Sequence, residues 1–175
     1  MRVVLGALLA SITLLPGVAW AQQDERPARG LVAIVAGEFI PEKPSRIDAG
    51  APVVGLRLGR PVTSVFVAEA GLSYALDDGA RAPNDPLGIV AADLGVQARL
   101  PHGRYRPYIG ASVGALRASG AQTETRLVPA VAGAIGAWIG AAANVTVIGE
   151  IRMRGALRGE APGGTEQTIG VAWRI

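Results

Sequence analysis

From about residue 30 onward, apolar and polar positions alternate with a period of two far more often than with the 3.6 of a helix. Eight such segments are legible, at about 30–40, 50–60, 62–76, 87–100, 105–117, 128–140, 143–155 and 166–175. Each is near the 9–11 residues that a tilted strand needs to cross a bilayer. The links between them alternate in length. Segments 2–3, 4–5 and 6–7 are joined by short links: Gly59-Arg60-Pro61, Pro101-His102-Gly103-Arg104 and Ala141-Ala142-Ala143-Asn144. Segments 1–2, 3–4, 5–6 and 7–8 are joined by links of about ten residues, mostly rich in Pro, Gly, Asn and Asp. This ordered inequality predicts an all-β, antiparallel, up-and-down barrel of eight strands with short turns at one end and longer loops at the other.

The two faces of these segments differ in kind. In the last, Ile169, Val171, Trp173 and Ile175 share one face, and Thr168, Gly170, Ala172 and Arg174 share the other. In the seventh, Val145, Val147, Ile151 and Met153 oppose Asn144, Thr146, Glu150, Arg152 and Arg154. One face of the predicted sheet is therefore almost free of charge. The other mixes small residues with Glu38, Arg57, Glu69, Asp93, Arg99, Arg106, Glu150, Arg152, Arg154 and Arg174. A narrow barrel interior has this composition, because only small neighbours leave room for long charged side chains. The apolar face then meets lipid, and barrel closure satisfies every backbone group there. These ten ionisable residues are the predicted interior charge network, paired because isolated buried ions are too costly. Both faces of segments 30–40 and 128–140 are apolar, so their orientation stays open. Residues 128–149 carry no charge and taken alone also fit a membrane helix; Pro129, Asn144 and the alternation after 144 favour a hairpin. The aromatics Phe39 and Tyr74 fall near the long-loop ends, and Tyr105, Tyr108, Trp138 and Trp173 near the short-turn ends, the heights of interfacial girdles.

The start of the chain is of another kind. Arg2 precedes an uncharged apolar run from Val3 to Leu15, followed by Ala19-Trp20-Ala21. That is the layout of a secretory signal peptide, residues 1–21, cleaved after Ala21. Residues 22–29 form a polar periplasmic leader, and 30–175 the barrel domain.

Composition narrows the chemistry. The 175 residues include no Cys, one His and 17 Lys+Arg, of which only Lys43 is lysine; the formal charge is +3. Disulfides, thiolate nucleophiles and multi-histidine metal sites are excluded, and no basic run marks a nucleic-acid arm. His102 sits in a short turn with no nucleophile beside it, so we assign no catalytic residue. The stretch Asp77-Asp78-Gly79 to Asn84-Asp85 lacks the ordered ligand spacing of a calcium loop. No metal and no cofactor is expected. Arg46, Arg81, Arg126 and Arg158 lie in the long links, where guanidinium groups suit lipopolysaccharide phosphates.

At the C-terminus, Thr168-x-Gly170-x-x-Trp173-x-Ile175 resembles the terminal-strand assembly signal of bacterial outer-membrane barrels, with Ile175 where that pattern usually has Phe or Trp. Arg106-Pro107-Tyr108-Ile109-Gly110-Ala111 is similar to a strand that recurs in small barrels of this kind. With the segment count, residues 30–175 resemble the porin-family, OmpA-type eight-stranded domain. The resemblance implies the cell outer membrane of a Gram-negative bacterium as location. It implies outer-membrane lipid and lipopolysaccharide as surroundings, and the barrel-assembly machinery and periplasmic chaperones as partners. A monomer is expected. The implied role is non-enzymatic, in envelope integrity or surface interaction. A narrow conductance for ions or small solutes and a lipid-modifying enzyme stay open as alternatives; the face assignment opposes a soluble periplasmic barrel holding an apolar ligand.

Overall fold

The computed structural model describes residues 30–42, 50–77, 87–100, 103–120, 123–142, 144–158 and 163–175. The predicted signal peptide and leader, His102, and loop residues Arg46 and Arg81 lie outside them. Among the described residues are eight strands: β1 (Leu31–Pro41), β2 (Ala51–Pro61), β3 (Phe66–Asp77), β4 (Leu87–Arg99), β5 (Tyr105–Gly120), β6 (Thr123–Gly140), β7 (Val145–Ala156) and β8 (Gly164–Arg174). Each pairs antiparallel with its sequence neighbour, and β1 pairs with β8 to close the barrel. The closing ladder runs from Leu31 opposite Arg174 to Pro41 opposite Gly164. The fold is an eight-stranded antiparallel up-and-down transmembrane β-barrel. No helix among the described residues is long and apolar enough to cross a membrane, and 128–149 is the β6–β7 hairpin.

Alternation fixes which side chains point where. Ile34, Leu56, Leu72, Leu94, Ile109, Val113, Ile135, Met153 and Ile169 stand exposed on the outer wall. That apolar belt would be prohibitive in water and is what lipid requires. The open orientations resolve. On β1, Leu31, Ala33, Val35 and Phe39 are buried inside; on β6, Val128, Ala130, Ala132, Ala134 and Trp138 are. Alanine dominates the inward face of β6 and leaves volume for longer side chains from the strands across the lumen.

Two expectations need correction. The long link between segments 5 and 6 does not exist as a loop. β5 and β6 continue pairing to Gly120 opposite Thr123, with a register shift between Ala118 and Gly120. The stretch Thr123-Glu124-Thr125-Arg126 alternates polar residues and so reads as loop, although β-branched threonine suits a strand that has left the lipid. The second concerns the aromatics. Tyr74, Tyr105 and Trp173 face outward as girdle positions require, but Phe39, Tyr108 and Trp138 are buried inside the barrel. Nearness to a strand end sets the height of a side chain, whereas parity sets its face.

Candidate functional site

The lumen is layered. Toward the loop end, Phe39, Ala51, Val53, Ala75, Ile89, Leu116, Val128 and Ala130 form one apolar cluster. Toward the short-turn end, Leu31, Ala33, Tyr108, Ala134, Trp138, Ile148 and Ala172 form another. Between them lies a layer of ions.

β7 supplies three of these from consecutive inward positions, Glu150, Arg152 and Arg154, all buried. The spacing of two places them on one face with no turn or bulge. Arg152 reaches carboxylates on three strands: Glu69 of β3 at 2.5 Å, Asp93 of β4 at 3.3 Å and Glu150 of its own strand at 2.8 Å. Arg154 bonds Asp93 at 2.5 Å and Glu166 of β8 at 3.0 Å. Arg57 of β2 lies 3.4 Å from Glu166 and 3.6 Å from Glu150. The contacts close on themselves. Passing through Arg152, Asp93, Arg154, Glu166, Arg57 and Glu150 returns to Arg152, a six-membered ring of alternating charge. Glu69 hangs on the outside of the ring, on Arg152, and accepts from Gln97 Nε2. The Tyr108 hydroxyl donates to Glu150 at 2.6 Å, and the Ser73 hydroxyl to Glu166 at 3.1 Å.

Burying ions costs several kcal/mol each unless partners and geometry offset it, and the offset is large where charges alternate and the lone pairs are also bonded. Room for the long side chains comes from glycine. A Cβ at Gly71 would lie 3.1 Å from an Arg57 terminal nitrogen, and one at Gly136 would lie 2.6 Å from the Tyr108 ring and hydroxyl. These backbones approach the charged layer as closely as a side chain permits.

The ten predicted network residues divide. Arg57, Glu69, Asp93, Glu150, Arg152 and Arg154 come together in this layer. Arg99, Arg106 and Arg174 have inward parity but sit at the short-turn mouth, outside it; the Arg99 guanidinium lies 6.0 Å from the Trp138 ring centre. Glu38 does not join. It shares the outward parity of Ile34 and Ile40 and is exposed, opposite Pro52 and Gln167. Its carboxyl bends into the space beside Gly50 at the loop end, where a lipid-side carboxylate can reach water. The physical reason is parity: Phe39 takes the inward position at that height. Glu166 joins the layer outside the ten, continuing the inward face of Thr168, Gly170 and Ala172 by two residues. Tyr108, Ser73 and Gln97 join as hydrogen-bond partners, which neutral residues do not announce in a sequence by charge.

In the terminal strand, Thr168 is buried inside and Trp173 is outward. Gly170 packs so tightly on β1 that a Cβ would lie 2.2 Å from the Ile34 carbonyl oxygen. The Ile175 N–H donates to the Gly30 carbonyl at 3.0 Å, which extends the closing ladder. Of the arginines expected in the long links, Arg158 is exposed and Arg126 lies on strand β6. No cluster of His, Cys, Asp and Glu that could hold a metal occurs among the described residues.

No family model matches the chain, and no curated protein matches it in sequence. Solved structures do resemble it in fold. The Neisserial surface protein A superposes with a TM-score of 0.70 at 13% identity, covering 83% of this chain and 97% of that one. The Yersinia pestis attachment invasion locus protein Ail gives 0.60 at 13%, covering 86% and 100%. The N-terminal β-barrel domain of Pseudomonas aeruginosa OprF gives 0.58 at 14%, covering 85% and 98%. These comparisons show a shared fold, the closed eight-stranded barrel of small outer-membrane proteins.

Proposed function

We propose that this chain is a non-enzymatic outer-membrane protein of a Gram-negative envelope, a closed barrel whose charge-paired interior makes it a rigid element for envelope integrity or surface interaction. The observation that carries this reading is the ion layer between two apolar layers. An ion path needs continuous water, and here apolar side chains lie above and below a ring whose charges already satisfy one another. Eight strands enclose only the space that side chains can fill. In this reading the N-terminal 21 residues are the cleaved export signal. Periplasmic chaperones deliver the chain, and the barrel-assembly machinery reads Thr168, Gly170, Trp173 and Ile175 at the closing strand. The finished barrel is a monomer bounded by outer-membrane lipid and lipopolysaccharide. Surface interaction is supported by the long β5–β6 ladder and by the similarity in fold to an attachment invasion locus protein.

The test is planar-bilayer recording of the purified, folded protein. The closed-barrel reading predicts no steady unitary current steps above those of detergent alone. Reproducible steps of one amplitude, proportional in frequency to folded protein, would replace it with the conductance reading.

A further inference from the structure

The short-turn end of the barrel carries an unbalanced charge. Arg99 ends β4, Arg106 opens β5 and Arg174 ends β8, all with inward parity, so three strands aim guanidinium groups at one mouth. Arg99 is paired with Tyr108 in the β4–β5 ladder, so Arg106 lies diagonally across from it on the same inward face. Arg60 and Arg104 add to the same rim. Among the described residues at this end there is no Asp or Glu, and among those residues no ion pair involves any of the three mouth arginines. The contrast with Arg57, Arg152 and Arg154 is sharp, since each of those has at least two carboxylates. Like charges held together repel, and nothing in barrel closure requires them there.

A second observation is independent of charge. Arg99 Nε and Trp138 Nε1 are both buried N–H groups with no acceptor; Arg57 Nε and Arg154 Nε in the ion layer also lack one, but their terminal nitrogens are held by carboxylates. The Arg99 guanidinium lies over the indole, 6.0 Å from the ring centre. Arginine and indole nitrogens only donate, so the missing group is an acceptor, and beside three positive charges it is an anionic one. Arg106 Nε is tied to the Gly103 carbonyl at 3.0 Å, which anchors its stem and leaves its terminal N–H groups for a ligand.

The geometry points to an oxyanion site at this mouth, in which Arg99, Arg106 and Arg174 grip a phosphate group above a floor formed by Trp138. Phosphate suits the site because its oxygens accept from several directions at once, matching three guanidinium groups that arrive from three strands. A lipid phosphodiester and a soluble phosphate share this chemistry.

The folded chain, labelled with nitrogen-15 in a non-ionic detergent, resolves Arg Nε–H and Trp Nε1–H signals by NMR. Inorganic phosphate, and separately phosphatidylglycerol in mixed micelles, are titrated against sodium chloride of equal ionic strength. The proposal predicts saturable shifts of the Arg99 and Trp138 signals with one or both phosphates and not with chloride. Joint Arg99→Gln, Arg106→Gln and Arg174→Gln replacement, in protein that still folds, weakens binding about tenfold or more, the equivalent of 1.4 kcal/mol. Tighter response to phosphatidylglycerol identifies a headgroup; tighter response to inorganic phosphate identifies a soluble ligand. Shifts that chloride reproduces, or that survive in the triple variant, overturn the site, as does the absence of any shift. Movement of the same signals on Asp24→Asn with Glu25→Gln, without added phosphate, would also overturn it, by showing that the chain's own carboxylates fill the mouth.

Discussion

Arg152 donates from Nε to Glu150 Oε1 at 2.8 Å, across two positions of the same strand. Inward neighbours on a strand are separated by two residues, so this pair forms from local sequence alone. The rest of its guanidinium is then free to reach Asp93 and Glu69 on the strands across the lumen. A local pair thus fixes the direction of a long-range one.

Removing that hub should be costly. Arg152→Met leaves Glu69, Asp93 and Glu150 short of their shared cation, and breaking a buried pair costs about 3–5 kcal/mol. Urea unfolding of the barrel in lipid vesicles should show a loss in that range. Arg152→Lys keeps the charge without the fork and should recover only part of it. A loss below about 1 kcal/mol for Arg152→Met would mean that water screens the layer.

Glu166 and Glu38 give a matched contrast between an acid inside and one outside. Glu166→Gln opens the ring between Arg57 and Arg154 and should cost about 2–4 kcal/mol, the scale of a charged bond lost in a buried site. Glu38→Gln lies on the outer wall at the loop end and should change stability by no more than about 0.5 kcal/mol. The same unfolding titration measures both.

Two glycines on β6 separate packing from propensity. At Gly136 an added methyl meets the Tyr108 ring and the Gly149 carbonyl, whereas at Gly133 nothing lies within 4 Å. Gly136→Ala should cost about 1–3 kcal/mol by overpacking and displace the Tyr108 hydroxyl from Glu150. Gly133→Ala, facing lipid, should be neutral or slightly stabilising by reducing chain entropy. Equal effects at the two sites would contradict the inward placement of Tyr108.

Much of this architecture was legible because a lipid-facing barrel writes a simple code. Period two, an uncharged outer face and alternating link lengths identified eight strands, and six of the ten predicted ions lie together in the central layer. What stayed hidden follows from what that code omits. Parity is invisible where both faces are apolar, as on β1, so Glu38 was turned inward while Phe39 holds the inward place. Strands that outrun the bilayer lose the hydrophobic signal, so the β5–β6 extension through Thr123 reads as loop. Which carboxylate meets which arginine depends on barrel stagger, which no single strand encodes; Glu166 closes the ring through β8 while its charge partners come from β2 and β7.

The apolar face of the barrel meets lipid and the ionic face is sealed within. A chain with no cysteine invites the direct test: single Cys substitutions at Leu94, Val113, Ile135 and Ile169, each exposed on the outer wall, carry nitroxide labels in reconstituted bilayers. Power-saturation electron paramagnetic resonance then reports collisions with oxygen, which concentrates in lipid, and with a water-soluble nickel chelate. The account predicts high oxygen and low nickel accessibility at all four positions. High nickel accessibility there, with oxygen excluded, would place that face in water and contradict it.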